Sequence, residues 1–185
     1  MLHAQPAQRH RLLAATAVTA AVSALVVLPV LPPSNAAWAY RVSAVSGETI
    51  GWPQLVGTVG GVWNSLPAQE RSDAVVFTAD YSEAGAINEL GRGTGLPRAV
   101  SNQNTAWWWG PGNPRATTVV AVAPGPQYAP DYAAYLRRYF AHVRVAASLS
   151  NPYGVHNIEW GGHVYVCTGP RRPWGAVWTG LRHYE

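Results

Sequence analysis

The chain opens on a long run of apolar residues, Leu12–Leu31, that carries no charged side chain. A helix over this run would cover about 30 Å at 1.5 Å per residue, which matches the hydrocarbon core of a bilayer. Arg9 and Arg11 precede the run, so its first end is expected on the cytoplasmic side. The pattern predicts a transmembrane helix over 12–31 that follows a cytoplasmic basic segment, residues 1–11.

Proline residues follow the apolar run and predict a linker over 32–46, ahead of a domain over 47–185. The alternative to a retained helix is a cleaved signal peptide, because Ala37-Trp38-Ala39 has the small-x-small pattern of a cleavage site. The first interpretation gives a single-pass protein of the cell membrane, and the second gives a secreted protein. Both place the domain on the extracytoplasmic side.

Short apolar runs alternate with helical periodicity through the rest of the chain. Ala74–Thr78 and Thr117–Ala123 are continuous apolar runs between polar flanks, which is typical of buried strands. Further strands are predicted over 98–101, 143–147 and 164–167, and helices over 53–63, 83–90, 131–140 and 174–181. Strands that alternate with helices favour an α/β fold, so we expect a three-layer, mainly parallel, Rossmann-like sheet behind the transmembrane helix.

Two polar segments follow predicted strands directly. They are Thr78–Gly85, after the clearest strand, and Ser101–Pro111, after a weaker one. The carboxyl ends of parallel strands meet at one edge of a sheet, where ligands of open α/β folds usually bind. The sequence therefore predicts that any ligand site lies between these two segments.

The first of these segments has the D-x-x-E spacing of a helix start at Asp80 and Glu83. One interpretation is purely structural, with Asp80 capping the helix and Glu83 reaching back to the cap. The other places Tyr81 and Glu83 in a crevice as hydrogen-bonding contacts to a polar ligand. No second acid is close enough in sequence to form the carboxylate pair of a glycosidase.

Three consecutive indoles, Trp107, Trp108 and Trp109, mark the second segment. Side chains alternate along an extended segment, so at least one of the three is expected to be exposed. Exposed tryptophan faces stack on sugar rings or lie at a membrane interface, whereas a packed aromatic corner is the structural alternative. With Asn104 close by as a hydrogen-bonding side chain, the candidate substrate-binding residues are Tyr81, Glu83, Asn104, Trp107, Trp108 and Trp109.

Composition narrows the functional classes further. The net charge is +4, but the 13 basic residues form no stripe, so a nucleic-acid partner is not expected. The single cysteine, Cys167, excludes a disulfide framework or a cysteine-based zinc cage within one chain. The histidines match no metal-ligand spacing, and no glycine-rich motif has the context of a nucleotide site. We therefore expect no cofactor, no metal and no catalytic residue.

Several blocks of the chain resemble the extracytoplasmic C-terminal domain of actinobacterial membrane glycosyltransferases of family 39, the dolichyl-phosphate-mannose protein mannosyltransferase-like proteins. The blocks are GETIGWPQLVGTVGGVW (47–63), FTADYSEAGAINELG (77–91), GLPRAVSNQNTAWWWGPG (95–112), NPYGVHNIEWGGHVYVCTGPRRPW (151–174) and WTGLRHYE (178–185). The chain departs from the family where Ala79-Asp80-Tyr81 replaces Gly-Asn-Tyr and where Asn102-Gln103-Asn104 replaces Gly-His-Asn.

The resemblance implies a hexosyltransferase system that takes sugar from a polyprenyl-phosphate donor outside the membrane. In that family the catalytic acid lies in the first extracytoplasmic loop, and this sequence has one hydrophobic segment and no such loop. The resemblance therefore implies an accessory, glycan-contacting part without its own catalytic loop. The partners it implies are the membrane, a glycan or polyprenyl-phosphate sugar, and a polytopic glycosyltransferase.

Two alternatives to this interpretation stay open. One is a non-enzymatic carbohydrate-binding module, secreted or anchored to the membrane, with no enzyme partner. The other is that the chain is the tail of a longer gene product whose upstream part encodes further spans and the catalytic loop.

Overall fold

The computed structural model describes residues 6–27, 32, 40 and 47–184, and the chain divides into two compact units, 1–50 and 51–185. In the first unit, helix α1 runs over Pro6–Val27. Residues 28–31 of the apolar run lie outside the described part. So does most of the predicted linker 32–46, of which only Pro32 and Tyr40 are described.

The predicted transmembrane helix over 12–31 is wrong, because no helix in the described ranges is both long and apolar enough to cross a membrane. Helix α1 begins at Pro6 and includes Arg9 and Arg11. The uncharged remainder, from Leu12 to Val27, covers about 24 Å at 1.5 Å per residue, which is less than the hydrocarbon core needs. The expected single-pass membrane anchor is therefore not supported, and secretion after cleavage of a signal peptide stays a prediction.

The second unit is built around a five-stranded sheet. Its strands are β1 (Ala74–Thr78), β2 (Ala99–Ser101), β3 (Thr118–Ala123), β4 (Phe140–Ser148) and β5 (His163–Pro170). Its helices are α2 (Trp52–Ser65), α3 (Ala68–Ser72), α4 (Tyr81–Leu90), α5 (Tyr132–Arg137) and α6 (Trp174–Gly180), with a 3₁₀ helix over Asn104–Trp109.

The sheet is mixed, with the strand order β2-β1-β3-β5-β4. Strands β1, β2 and β3 are parallel, whereas β5 runs antiparallel to both of its neighbours, β3 and β4. The expectation of a mainly parallel, Rossmann-like sheet is therefore wrong. The physical reason lies in the connection 149–162, which forms no helix and stays at one edge of the sheet, so that β5 returns antiparallel to β4.

Both faces of the sheet are covered by helices, because alternate residues of each buried strand point to opposite sides. On one face, Val120 and Val122 of β3 pack with residues of α2 and α4. On the other face, Val119 and Ala121 of the same strand pack with residues of α5 and α6. This double burial explains why β1 and β3 are apolar at nearly every position.

The carboxyl ends of β1, β2 and β3 meet at one edge of the sheet. Strand β4 is parallel to these three, because it and β3 both run antiparallel to β5. The connection 149–162 therefore emerges at the same edge, where Ser148 pairs with His163. Four loops converge there, and the candidate site is built from them.

Candidate functional site

The loop after β1 forms a reciprocal cap at the start of α4. Asp80 Oδ1 accepts a hydrogen bond of 2.6 Å from the backbone N–H of Ser82 and a second from the Ser82 hydroxyl. In return, the backbone N–H of Asp80 donates to Glu83 Oε2 at 3.4 Å. Asp80 and Glu83 thus satisfy backbone groups that a helix start leaves open, as in a capping box.

Glu83 is fully buried beneath this loop. Burial raises the pKa of its carboxyl group well above the ordinary value, and the nearby charges of Glu159 and Asp80 raise it further, while the hydrogen bond from the Asp80 backbone lowers it. Its Oε1 has no hydrogen-bond partner among the residues that the structure describes. Glu83 was predicted as a ligand contact, and the structure places it in the interior instead of on a concave surface.

The loop after β2 is tied to the loop after β1 and to the chain end. Gln103 Oε1 accepts a hydrogen bond of 3.0 Å from the backbone N–H of Tyr81. Asn102 Nδ2 donates to the carbonyl of Leu181 at 2.6 Å. The backbone N–H of His183 donates to the Asn102 carbonyl, so the segment 181–183 lies alongside the loop.

The three consecutive tryptophans lie in the 3₁₀ helix and point in different directions. Trp107 is half-buried, and its indole N–H donates to the carbonyl of Trp178 at 3.1 Å. Trp108 and Trp109 are 64% and 74% exposed. The 3₁₀ helix begins at Asn104 with a positive φ of 51°, a conformation that asparagine tolerates better than most residues, and ends at Gly110 with φ of 84°.

Trp108 and Trp109 have different surroundings. The guanidinium carbon of Arg182 lies 4.7 Å from the ring centre of Trp107, 4.6 Å from that of Trp108 and 4.6 Å from that of Tyr184. This cation–π cluster holds Trp108 on one side of the 3₁₀ helix. Trp109 instead faces a groove, which we call the Trp109 groove.

The Trp109 groove has a volume of about 640 Å³. It lies between the 3₁₀ helix and one face of α4, from the first turn of α4 to its last. Its main lining side chains are those of Trp52, Tyr81, Glu89, Leu90, Asn104 and Trp109. Tyr81 is 53% exposed, so the groove offers two accessible aromatic side chains. The indole N–H of Trp52 is buried and has no acceptor in the described part of the chain. The groove therefore combines aromatic surfaces with a small number of polar groups.

A second depression, which we call the switch crevice, has a volume of about 510 Å³. Its lining includes Ala79 and Asp80 after β1, Asn102 and Gln103 after β2, and Pro124 and Tyr128–Tyr132 after β3. The helix after β1, α4, covers one face of the sheet, and the helix after β3, α5, covers the other. The crevice thus lies where the connections change sides, the usual place for ligands in open α/β sheets.

Three tyrosines of α5 and its C-terminal turn line the switch crevice as a ladder. The ring centres of Tyr132 and Tyr135 are 5.1 Å apart, and those of Tyr135 and Tyr139 are 5.4 Å apart. Burial raises the pKa of Tyr132 well above its ordinary value, and the neighbouring Tyr135 and Glu83 add to the effect. The Tyr132 phenol is therefore a neutral hydrogen-bonding group at physiological pH.

The structure brings together three of the six predicted site residues, Tyr81, Asn104 and Trp109, in one groove. It separates the other three: Glu83 is interior, the half-buried Trp107 packs against the core, and Trp108 lies against Arg182. Sequence reasoning missed Trp52 and Glu89, which reach the groove from α2 and α4. Helical spacing could have found Glu89, since it lies two turns after Tyr81 and Ser82 on the same face.

Metal binding finds no support in the ranges 6–27 and 47–184, where no group of three histidine, cysteine, aspartate or glutamate side chains could hold an ion. Cys167 is a buried thiol in the middle of β5.

Neither a family model, nor a curated protein, nor a solved structure matches the chain. The resemblance to family 39 glycosyltransferases therefore stays a prediction from the sequence blocks.

Proposed function

We propose that residues 51–184 form a non-catalytic domain that binds a glycan in the Trp109 groove. The observation that carries the proposal is the meeting of Tyr81, Asn104 and Trp109 in one groove. These side chains come from two segments that are separate in sequence, and each follows a different parallel strand. The finer part of the proposal, which depends on the sequence resemblance, is that the glycan belongs to a polyprenyl-phosphate-sugar-dependent glycosyltransferase system and that a polytopic enzyme is the partner.

The chemistry of the groove supports a sugar as ligand. A pyranose ring has apolar C–H faces that stack on aromatic rings, and Trp109 and Tyr81 are both more than half exposed at the groove. A sugar also has hydroxyl groups at its rim that donate and accept hydrogen bonds. Glu89, which lines the groove, can accept such bonds.

A catalytic role is not part of the proposal. Glycoside chemistry ordinarily uses two carboxyl groups that flank the scissile bond. Glu89 is the carboxylate that lines the Trp109 groove, and it forms a 2.7 Å ion pair with Arg92 at the exposed end of α4. Glu83 lies below the surface with a raised pKa and serves the cap of the same helix.

The test compares two tryptophans that differ in their position relative to the groove. The full chain would be titrated by isothermal calorimetry with manno-, gluco- and galacto-oligosaccharides, and then the variants Trp109→Ala and Trp108→Ala with the sugar that binds. Loss of a stacking tryptophan should weaken binding by at least about tenfold, which corresponds to about 1.4 kcal/mol. We expect this loss for Trp109→Ala and a change of less than about twofold for Trp108→Ala.

Trp108 is the matched control because it lies in the same 3₁₀ helix and is similarly exposed, but does not line the groove. Equal losses in the two variants would contradict the proposed site. The absence of heat with every oligosaccharide of the series would contradict glycan binding itself.

A further inference from the structure

The switch crevice contains a buried polar atom without a partner. Asn102 is only 5% exposed and lines the crevice. Its Nδ2 donates to the Leu181 carbonyl, whereas its Oδ1 has no hydrogen-bond partner in the described ranges of the chain. Leaving a buried acceptor unsatisfied costs about 1–3 kcal/mol.

The remaining polar groups of the crevice include both donors and acceptors. Asp80 and Asp131 line it, and each uses one carboxylate oxygen to cap the start of a helix, α4 or α5. Arg182 and His183 line it from the chain end. Because carboxylates and a guanidinium face the same space, the crevice favours neither a strongly anionic nor a strongly cationic ligand.

Aromatic surface completes the crevice. Tyr132, Tyr135 and Tyr139 form one wall, and Tyr128, which is 52% exposed, stands at the rim. Phenol groups both donate and accept hydrogen bonds, and the rings offer apolar faces. The volume of about 510 Å³ lies within the range of small-molecule sites.

We infer that the switch crevice binds a small neutral ring with several hydroxyl groups, and that this ring lies against the Asn102 side chain. A hydroxyl group can donate to the carboxylates and accept from Arg182, so one ligand satisfies groups of both kinds. The switch crevice and the Trp109 groove share no lining residue, so ligand binding in the crevice does not depend on the proposed function.

The experiment is a titration of the full, ¹⁵N-labelled chain followed by nuclear magnetic resonance. The neutral probes are mannose, galactose and myo-inositol, and the charged probes are choline and inorganic phosphate. We expect at least one neutral probe, at concentrations up to about 50 mM, to shift the side-chain amide signals of Asn102 with saturation, since site affinities of about 10 mM are then measurable. The charged probes should shift these signals less.

The matched variants are Tyr128→Ala at the rim of the crevice and Tyr153→Ala, an exposed tyrosine of the connection 149–162 that lines neither depression. Removal of a ring at the rim should weaken binding of the neutral probe by at least about threefold, and the control should change it by less than about 1.5-fold. Thermal unfolding would establish that both variants are folded.

Three results would overturn the inference. They are the lack of any saturating shift at Asn102 with the neutral probes, a stronger shift with choline or phosphate, and equal affinity in the Tyr128→Ala and Tyr153→Ala variants. A failure here leaves the Trp109 groove untouched, because binding there is read from calorimetry of the Trp108 and Trp109 variants.

Discussion

The backbone N–H of Tyr81 donates a hydrogen bond of 3.0 Å to the side-chain oxygen of Gln103. The bond joins the loop after β1 to the loop after β2, and these two loops form the wall between the two depressions. Ala79, Asp80, Asn102 and Gln103 line the switch crevice, whereas the residues that follow them in each loop line the Trp109 groove. One buried glutamine thus positions both candidate sites.

Replacing Gln103 with leucine should loosen this wall. The variant removes the acceptor of the Tyr81 N–H, which is worth about 1 kcal/mol of unfolding free energy and more if the N–H is left unsatisfied. We expect a lower midpoint in urea unfolding and faster hydrogen exchange at the Tyr81 amide. The control is Gln54→Leu on the exposed side of α2, for which a change below about 0.5 kcal/mol is expected. An unchanged exchange rate at Tyr81 would show that the bond does not hold the loop.

The raised pKa of Glu83 predicts a dependence of stability on pH. The unfolded chain loses this proton near pH 4.5, whereas the folded chain holds it to a higher pH. Between these two values the folded state binds more protons, so stability decreases as the pH rises and is greatest below the unfolded value.

The variant Glu83→Gln tests this prediction. Glutamine can still accept from the Asp80 backbone N–H in the capping box but carries no charge. We expect it to flatten the fall in stability with pH, so that its stability relative to that of the parent increases from pH 5 to pH 8. Urea unfolding at pH 5, 6, 7 and 8 gives the comparison, with Glu89→Gln on the exposed face of α4 as control. If the unfolding free energies of Glu83→Gln and the parent changed with pH in parallel, Glu83 would not be the source of the pH dependence.

Cys167 is predicted to be chemically inert in the folded protein. It is fully buried on β5, and burial raises the pKa of its thiol to about 12, so the reactive thiolate is scarce at neutral pH. A chromogenic disulfide reagent at pH 8 should release no signal from the native chain over minutes and one equivalent after unfolding in guanidinium chloride, since the sequence holds one cysteine. Rapid reaction of the native chain would mean that β5 opens readily or is exposed.

The central strands β1 and β3 could be predicted closely from the sequence, because double burial gives a clear signal. The prediction of a strand over 74–78 matches β1, and that over 117–123 differs from β3 by one residue. The direction of β5 could not be predicted, since an apolar run reads the same in a parallel and an antiparallel strand. Direction depends on the connection 149–162, whose course is set by tertiary contacts.

The candidate site could be predicted only in part, for a related reason. Tyr81, Asn104 and Trp109 lie in segments that follow two parallel strands. The carboxyl ends of parallel strands meet at one edge of the sheet, which brings these residues together. No pattern in the sequence indicates which indole faces the groove, because that depends on the 3₁₀ turn over 104–109 and on the contact between Arg182 and Trp108. Asn102 and the tyrosine ladder of α5 join only through the fold, from segments about 30 residues apart.

The most direct test of the central claim, that the Trp109 groove binds a glycan, is to record which indole N–H signals move when sugar is added. The indole signals of the full, ¹⁵N-labelled chain would be assigned with Trp108→Phe and Trp109→Phe variants and followed during titration with the oligosaccharide that binds by calorimetry. We expect saturating shifts of the Trp109 and Trp52 signals and an unchanged Trp108 signal. Shifts confined to Trp108, or bound sugar that shifts neither the Trp109 nor the Trp52 signal, would contradict glycan binding in the groove.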